Sequence, residues 1–117
     1  MIQGKIWGNT ENIFSKNNVS IHRITAKKGY CCSKHRHDSK YNIFFVEKGK
    51  LQIEDWQLDY NLVDKTMLES GQKCSIPPKH YHRFTALEDT IAYEIYYVEL
   101  NECDIEREDC GKKEKQS

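Results

Sequence analysis

No stretch of the roughly 18 consecutive apolar residues that a membrane-crossing helix needs occurs in this chain, which excludes a transmembrane helix. The opening residues, Met1-Ile2-Gln3-Gly4-Lys5-Ile6-Trp7, lack the apolar core of a signal peptide, so a cytoplasmic protein is expected. An excess of one charge is also missing. The 18 Lys and Arg balance 18 Asp and Glu, which points to neither nucleic acid nor a membrane surface as partner. The five cysteines contain no Cys-x-x-Cys pair, so a zinc knuckle is excluded. Their odd number, with no export signal, argues against a disulfide framework, and all five are expected as free thiols. Cys31 and Cys32 are adjacent and would face opposite ways on a strand, close to the first histidine pair. A helical apolar stripe longer than about two turns is absent as well.

What the chain does contain is a series of short strand signals separated by turns. The length of 117 residues suits one domain. Residues 1–18 read as an irregular segment packing on a barrel. Residues 19–100 read as the barrel itself. Residues 101–117 form a charged tail whose end, 111–117, has a disordered composition. Within the barrel, Val19 to Ala26 alternates apolar and polar residues. Tyr30 to His37 is a second extended run. Tyr41 to Glu47 is rich in aromatic and β-branched residues. Lys48-Gly49-Lys50 reads as a tight hairpin turn into Leu51 to Glu54. Further strands are expected within Asp59 to Leu68, at Lys73 to Ile76, at Tyr81 to Phe84 and at Ile91 to Leu100. At least seven short strands in one domain mean a sandwich, jelly roll or barrel.

Four of the five histidines form two His-x-His pairs, His35-Arg36-His37 and His80-Tyr81-His82. Strand side chains alternate faces, so the two members of a pair point the same way. Two imidazoles on one strand and a third from another can hold a divalent metal and leave a coordination position open. The surrounding spacing is Gly29-x5-His35-x-His37-x4-Asn42-x6-Gly49 and Gly71-x5-Pro77-x-Lys79-x2-His82. It resembles the two motifs of the cupin superfamily, G-x5-H-x-H-x3,4-E-x6-G and G-x5-P-x-G-x2-H-x3-N.

That resemblance implies an all-β, single-domain cupin jelly-roll β-barrel with a divalent metal (zinc, manganese, iron, cobalt or nickel) in its mouth. It makes His35, His37 and His82 ligands and places Asn42 where the family carries a glutamate ligand. Lys79 and Ala86 stand where the second motif has glycine and asparagine. Three neutral imidazoles would leave the ion its full positive charge, which favours a small anionic substrate. Trp7-Gly8, His82-Arg83 and the run from Asp104 to Gly111 narrow the likeness. They are similar to the cupin domain of type II mannose-6-phosphate isomerases, here as a stand-alone cupin.

Three functions are compatible with this reading. An aldose–ketose isomerase of a sugar phosphate would use the metal as Lewis acid and a base such as His80 as proton shuttle. A three-histidine Fe(II) dioxygenase would need positions for oxygen and substrate. A non-catalytic cupin would bind a sugar or nucleotide-sugar without turnover. Arg83 is a candidate oxyanion clamp, although strand alternation aims a residue next to inward His82 outward. His22 alternates with apolar residues and reads as structural. Both faces of Tyr41 to Glu47 are apolar, so a homodimer is expected to cover one of them.

Overall fold

The computed structural model describes residues 2–57 and 62–98. It contains nine β-strands in two antiparallel sheets, and no helix occurs among the described residues. The strands are β1 Ile2–Lys5, β2 Gly8–Lys16, β3 Val19–Ala26, β4 Tyr41–Lys48, β5 Lys50–Trp56, β6 Val63–Glu69, β7 Lys73–Ile76, β8 Tyr81–Ala86 and β9 Thr90–Tyr97. The larger sheet has the order β1-β2-β3-β9-β4-β7, the smaller β6-β5-β8. Neighbours that are distant in sequence, such as β3 with β9 and β9 with β4, give the crossed connections of a jelly roll.

Period-two alternation explains how the two sheets share a core. On β4, Asn42, Phe44 and Val46 are fully buried while Ile43 and Phe45 are only partly covered. On β8, His82, Phe84 and Ala86 point inward; on β9, Thr90, Ala92 and Glu94 do. Ile24, Leu51, Ile53, Leu68 and Ile76 complete the interior. Burial of such side chains contributes about 1.5–3 kcal/mol each.

Two expectations are corrected. Residues 1–18 are not irregular: β1 and β2 pair antiparallel, and β2 continues onto β3, so this segment extends the larger sheet. Its amide and carbonyl groups find partners in that ladder, which outweighs a weak apolar pattern. Second, Lys48-Gly49-Lys50 does not close a hairpin, because β4 and β5 belong to different sheets. The chain crosses between them at Gly49, whose φ of 105° suits a residue without Cβ. A Cβ there would strike the Asp89 carbonyl and lie 2.6 Å from the Thr90 hydroxyl. The run from Tyr30 to His37 is extended but forms no continuous ladder with β8, pairing with it through two isolated bridges, Cys31 with Thr85 and His35 with His82. The expected disorder at 111–117 and the tail motif lie outside the described residues, as does the first part of the Asp59 to Leu68 expectation.

Candidate metal centre

His82 comes from β8, in the inward row with Phe84 and Ala86. His35 and His37 come from the extended segment before β4. That segment is pinned to β8 by reciprocal backbone hydrogen bonds, His35 N to His82 O at 3.1 Å and His82 N to His35 O at 2.8 Å. Lys79 N donates to His37 O at 2.6 Å. The intervening cations face the other way. The Lys34 ammonium sits 4.1 Å from the Trp56 ring centre and the Arg36 guanidinium 5.2 Å from that of Tyr81. These cation–π contacts clip the segment to the outside of the barrel while its imidazoles turn inward.

The three imidazoles converge. Their ligand atoms all lie within 4.8 Å of one another. Nitrogens that share an ion at about 2.0–2.1 Å stand closer together than this, so the rings would draw in on a bound metal. Two tautomers are set by carbonyls: Nδ1 of His35 donates to Ser33 O at 2.8 Å, and Nδ1 of His82 donates to His80 O at 3.0 Å. Both leave Nε2 unprotonated, with a lone pair that a metal could take; in His82 the Asn42 amide donates to it at 3.3 Å. Nε2 of His37 is buried and has no hydrogen-bond partner among the described residues. A buried polar atom without a partner is costly, and an ion would supply the missing one.

Burial lowers the His82 pKa to about 4; the His80 carbonyl opposes the shift, and neighbouring His35, His37 and His80 add to it. His37 is lowered by burial, then by His35 and Lys40. Both rings are therefore neutral near pH 7, as ligation demands. The donor set fits a divalent metal ion.

Asn42 borders this set and is fully buried. Its Nδ2 lies 3.3 Å from Nε2 of His82, and its amide donates to the Tyr96 hydroxyl. Its Oδ1 has no partner among the described residues.

An open cavity of about 1090 Å³ lies between the N-terminal strands and the barrel, with His35, His22, Glu94, Tyr96, Trp7 and Phe84 in its wall. The Tyr96 hydroxyl donates to Glu94 Oε2 at 2.8 Å. Burial raises the Glu94 pKa, opposed by the Tyr96 hydrogen bond and by His35 and Lys5. Sequence reasoning assured no carboxylate here. The signal was present: on β9, Glu94 and Tyr96 share the parity of fully buried Ala92. His22, expected to be structural, lines the same cavity, with Nε2 2.6 Å from the Ser20 hydroxyl. Cys31 and Cys32 also reach this wall, as their nearness to His35 suggested. Cys31, Cys32 and Cys74 are free thiols.

The two catalytic candidates from the sequence stand elsewhere. His80 does not line the cavity; its Nδ1 is 2.8 Å from Oδ1 of Asp55. Arg83 lies on the outer face, as alternation required, with Nε 2.9 Å and an Nη 2.8 Å from Oε1 of Glu54.

No protein-family model and no curated protein matches the sequence. Solved structures do match. KdgF from a Halomonas species superposes with a TM-score of 0.73 at 16% identity, over 86% of this chain and 88% of that one. The capsular polysaccharide assembling protein CapF of Staphylococcus aureus gives 0.72 at 19% identity, over 84% of this chain but 27% of its own length. Oxalate decarboxylase of Bacillus subtilis, described with Mn(II) centres, gives 0.74 at 13%, over 84% of this chain and 27% of that one. All three share one architecture, and their identities are too low to carry more than the fold. The chain is a small protein of the cupin fold, with three histidines gathered inside it at the spacing of a metal site.

Proposed function

We propose that this cupin is a metal-dependent enzyme acting on a small anionic sugar by proton transfer between adjacent carbons, an aldose–ketose isomerisation of the mannose-6-phosphate isomerase type. The observation that carries the reading is Glu94. It is a buried carboxyl group, hydrogen-bonded to Tyr96, in the same cavity wall as His35. A divalent ion held by His35, His37 and His82 would supply a Lewis acid for the carbonyl and neighbouring hydroxyl oxygens.

The rest of the work falls to the chain. Isomerisation removes a proton from the carbon next to the carbonyl and returns one to the former carbonyl carbon. A carboxyl group whose pKa burial raises above the ordinary carboxylate value can serve both halves of that exchange. Glu94 accepts the proton in its ionised form and delivers it back as the acid. Tyr96 holds the carboxyl in place through its hydroxyl and is itself held by the Asn42 amide. Trp7 and Phe84, edge to face at 4.9 Å, give the cavity an apolar flank that limits water around the reacting carbons. The name of CapF, a capsular polysaccharide assembling protein, accords with a carbohydrate ligand.

A second copy of the chain is the covering proposed for the outer face of the larger sheet. There Phe14, Ile21, Ile95 and Ile43 form a row across β2, β3, β9 and β4. Light scattering reads the mass directly, and a monomer would remove this part of the proposal. The activity is tested by converting mannose 6-phosphate to fructose 6-phosphate with protein loaded separately with Zn²⁺, Mn²⁺, Fe²⁺, Co²⁺ and Ni²⁺. Turnover with at least one ion supports isomerisation. A saturated metal site with no product from any of them overturns it.

A further inference from the structure

Tyr96 borders a second cavity as well, of about 480 Å³. Its wall is built by the turn between β2 and β3 and by the residue leading into β4. Lys16, Lys40, Ser15, Ser20, Asn17 and Asn18 line it. No acidic side chain does so among the described residues. The wall is structurally tied: Val98 N donates to Asn18 O at 3.1 Å, and Tyr41, next to Lys40, stacks on Tyr97 at 5.1 Å. The Tyr96 ring packs edge to face on His37, with ring centres 5.0 Å apart, so this cavity adjoins the histidine cluster through that ring.

This combination selects a ligand class. Two ammonium groups with no compensating carboxylate favour a doubly charged group over a singly charged one. A phosphomonoester carries about −1.5 to −2 near pH 7 and offers three strong acceptor oxygens. Lysine serves such a group as a point charge, and the hydroxyl and amide groups of the serines and asparagines supply directional donors. The position matters equally. Tyr96 belongs to both cavity walls, so the two cavities adjoin at this residue, with Glu94 lining one and the lysines the other.

We propose that the cavity between Lys16 and Lys40 is a phosphate subsite, which anchors the phosphomonoester end of the sugar whose other end lies at the histidine centre. The assignment rests on reading that centre as the reacting site, and it adds the place where the phosphate ester is held.

The test uses metal-loaded full-length protein. Amide NMR shifts are followed during titration with inorganic phosphate at constant ionic strength, for the wild type and for Lys16→Gln/Lys40→Gln. Shifts centred on residues 15–20 and 40–41 are expected, with binding weakened about tenfold or more in the double variant, as loss of two charge-assisted contacts implies. Thermal unfolding and metal content of that variant should be unchanged. Absence of shifts in those segments, or equal affinity in both proteins, overturns the subsite.

His35→Ala separates the subsite from the metal. Retained phosphate binding supports the lysine site, whereas its loss shows that phosphate sat on the ion and overturns the proposal. Glucose 6-phosphate and glucuronate distinguish the anion. A selective loss of the phosphate ester in the double variant supports the assignment, and an equal loss of glucuronate replaces it with a general anion site. Failure of isomerisation reads out separately, as absent turnover in protein that still binds phosphate.

Discussion

Asn42 and His82, on facing sheets, bring Nδ2 and Nε2 to 3.3 Å in the sealed interior beside the histidine cluster. The imidazole lone pair and the amide would both face an ion held there. An amide N–H directed at a cation is repelled, and a half-turn of the amide directs Oδ1 at it instead. A carboxylate at this position would add a full negative charge; two unit charges 4 Å apart interact by about 4 kcal/mol at an effective dielectric of 20. Desolvation consumes part of that. Asn42→Asp is therefore expected to tighten Zn²⁺ by about tenfold or more in competition with a chelator. The metal-free form should melt lower, because an unpaired acid is then buried. Unchanged affinity would place Asn42 away from the ion.

The ligands themselves give a plainer expectation. His35→Ala and His82→Ala should both purify without metal and fail to take it up on dialysis, as read by elemental analysis. Their stabilities should differ. His82 is 1% exposed and His35 only partly buried, so His82→Ala leaves the larger internal void and the lower melting temperature. Wild-type protein that takes up none of the five divalent ions would end the metal reading.

Glu94→Gln preserves the shape and the Tyr96 contact but cannot exchange a proton. If Glu94 is the shuttle, kcat falls by about 10²- to 10⁴-fold with metal content and KM close to wild type. His80→Gln should change kcat far less, because His80 is engaged with Asp55 outside the cavity wall. The opposite ranking would return the role to His80.

Metal-stripped protein should lose stability as pH falls below 6.5. In the unfolded chain His82 protonates near 6.5, while the folded chain keeps it neutral down to about 4. Between those values the unfolded state binds the extra proton, so acidification favours unfolding. Above 6.5 both states are neutral and the group adds no dependence. Across the window His82 alone costs about 3 kcal/mol, and His37, shifted the same way, adds to it. Urea unfolding at pH 7.5, 6 and 5 measures this; a flat profile from 6.5 to 5 would contradict the burial assigned to His82.

Much of this site was legible because it follows from local rules. Spacing brought His35, His37 and His82 together, and alternation aimed Arg83 outward. Glu94 and Tyr96 were harder to see. Their chemistry depends on which face of β9 closes over the histidines, and that is settled by pairing with β3 and β4, far away in sequence. The hairpin formed by β1 and β2, which supplies the cavity wall opposite the barrel, was hidden for another reason: its pairing is local, but its residues carry only a weak apolar alternation. Lys48-Gly49-Lys50 misled for a related reason: a glycine with positive φ serves a hairpin and a crossing between sheets equally well, and only the sheet order separates the two.

Lys79 holds a conformation that suits another residue. Its φ is 72°, and it is the one non-glycine residue with positive φ among those described. It occupies the position where the second cupin motif carries glycine. Left-handed backbone costs an L-residue about 1–2 kcal/mol. The turn persists because Lys79 N donates to His37 O at 2.6 Å, so the strained residue also anchors a ligand-bearing segment. Replacing it by glycine removes the steric cost but gives back about 0.4–1 kcal/mol through the freer unfolded chain. Lys79→Gly should therefore stabilise the protein by about 0.5–1 kcal/mol in urea unfolding. Lys79→Ala retains the same backbone strain and serves as the control. If glycine proves no more stabilising than alanine, the turn stores no strain, and the departure from the motif is neutral for folding.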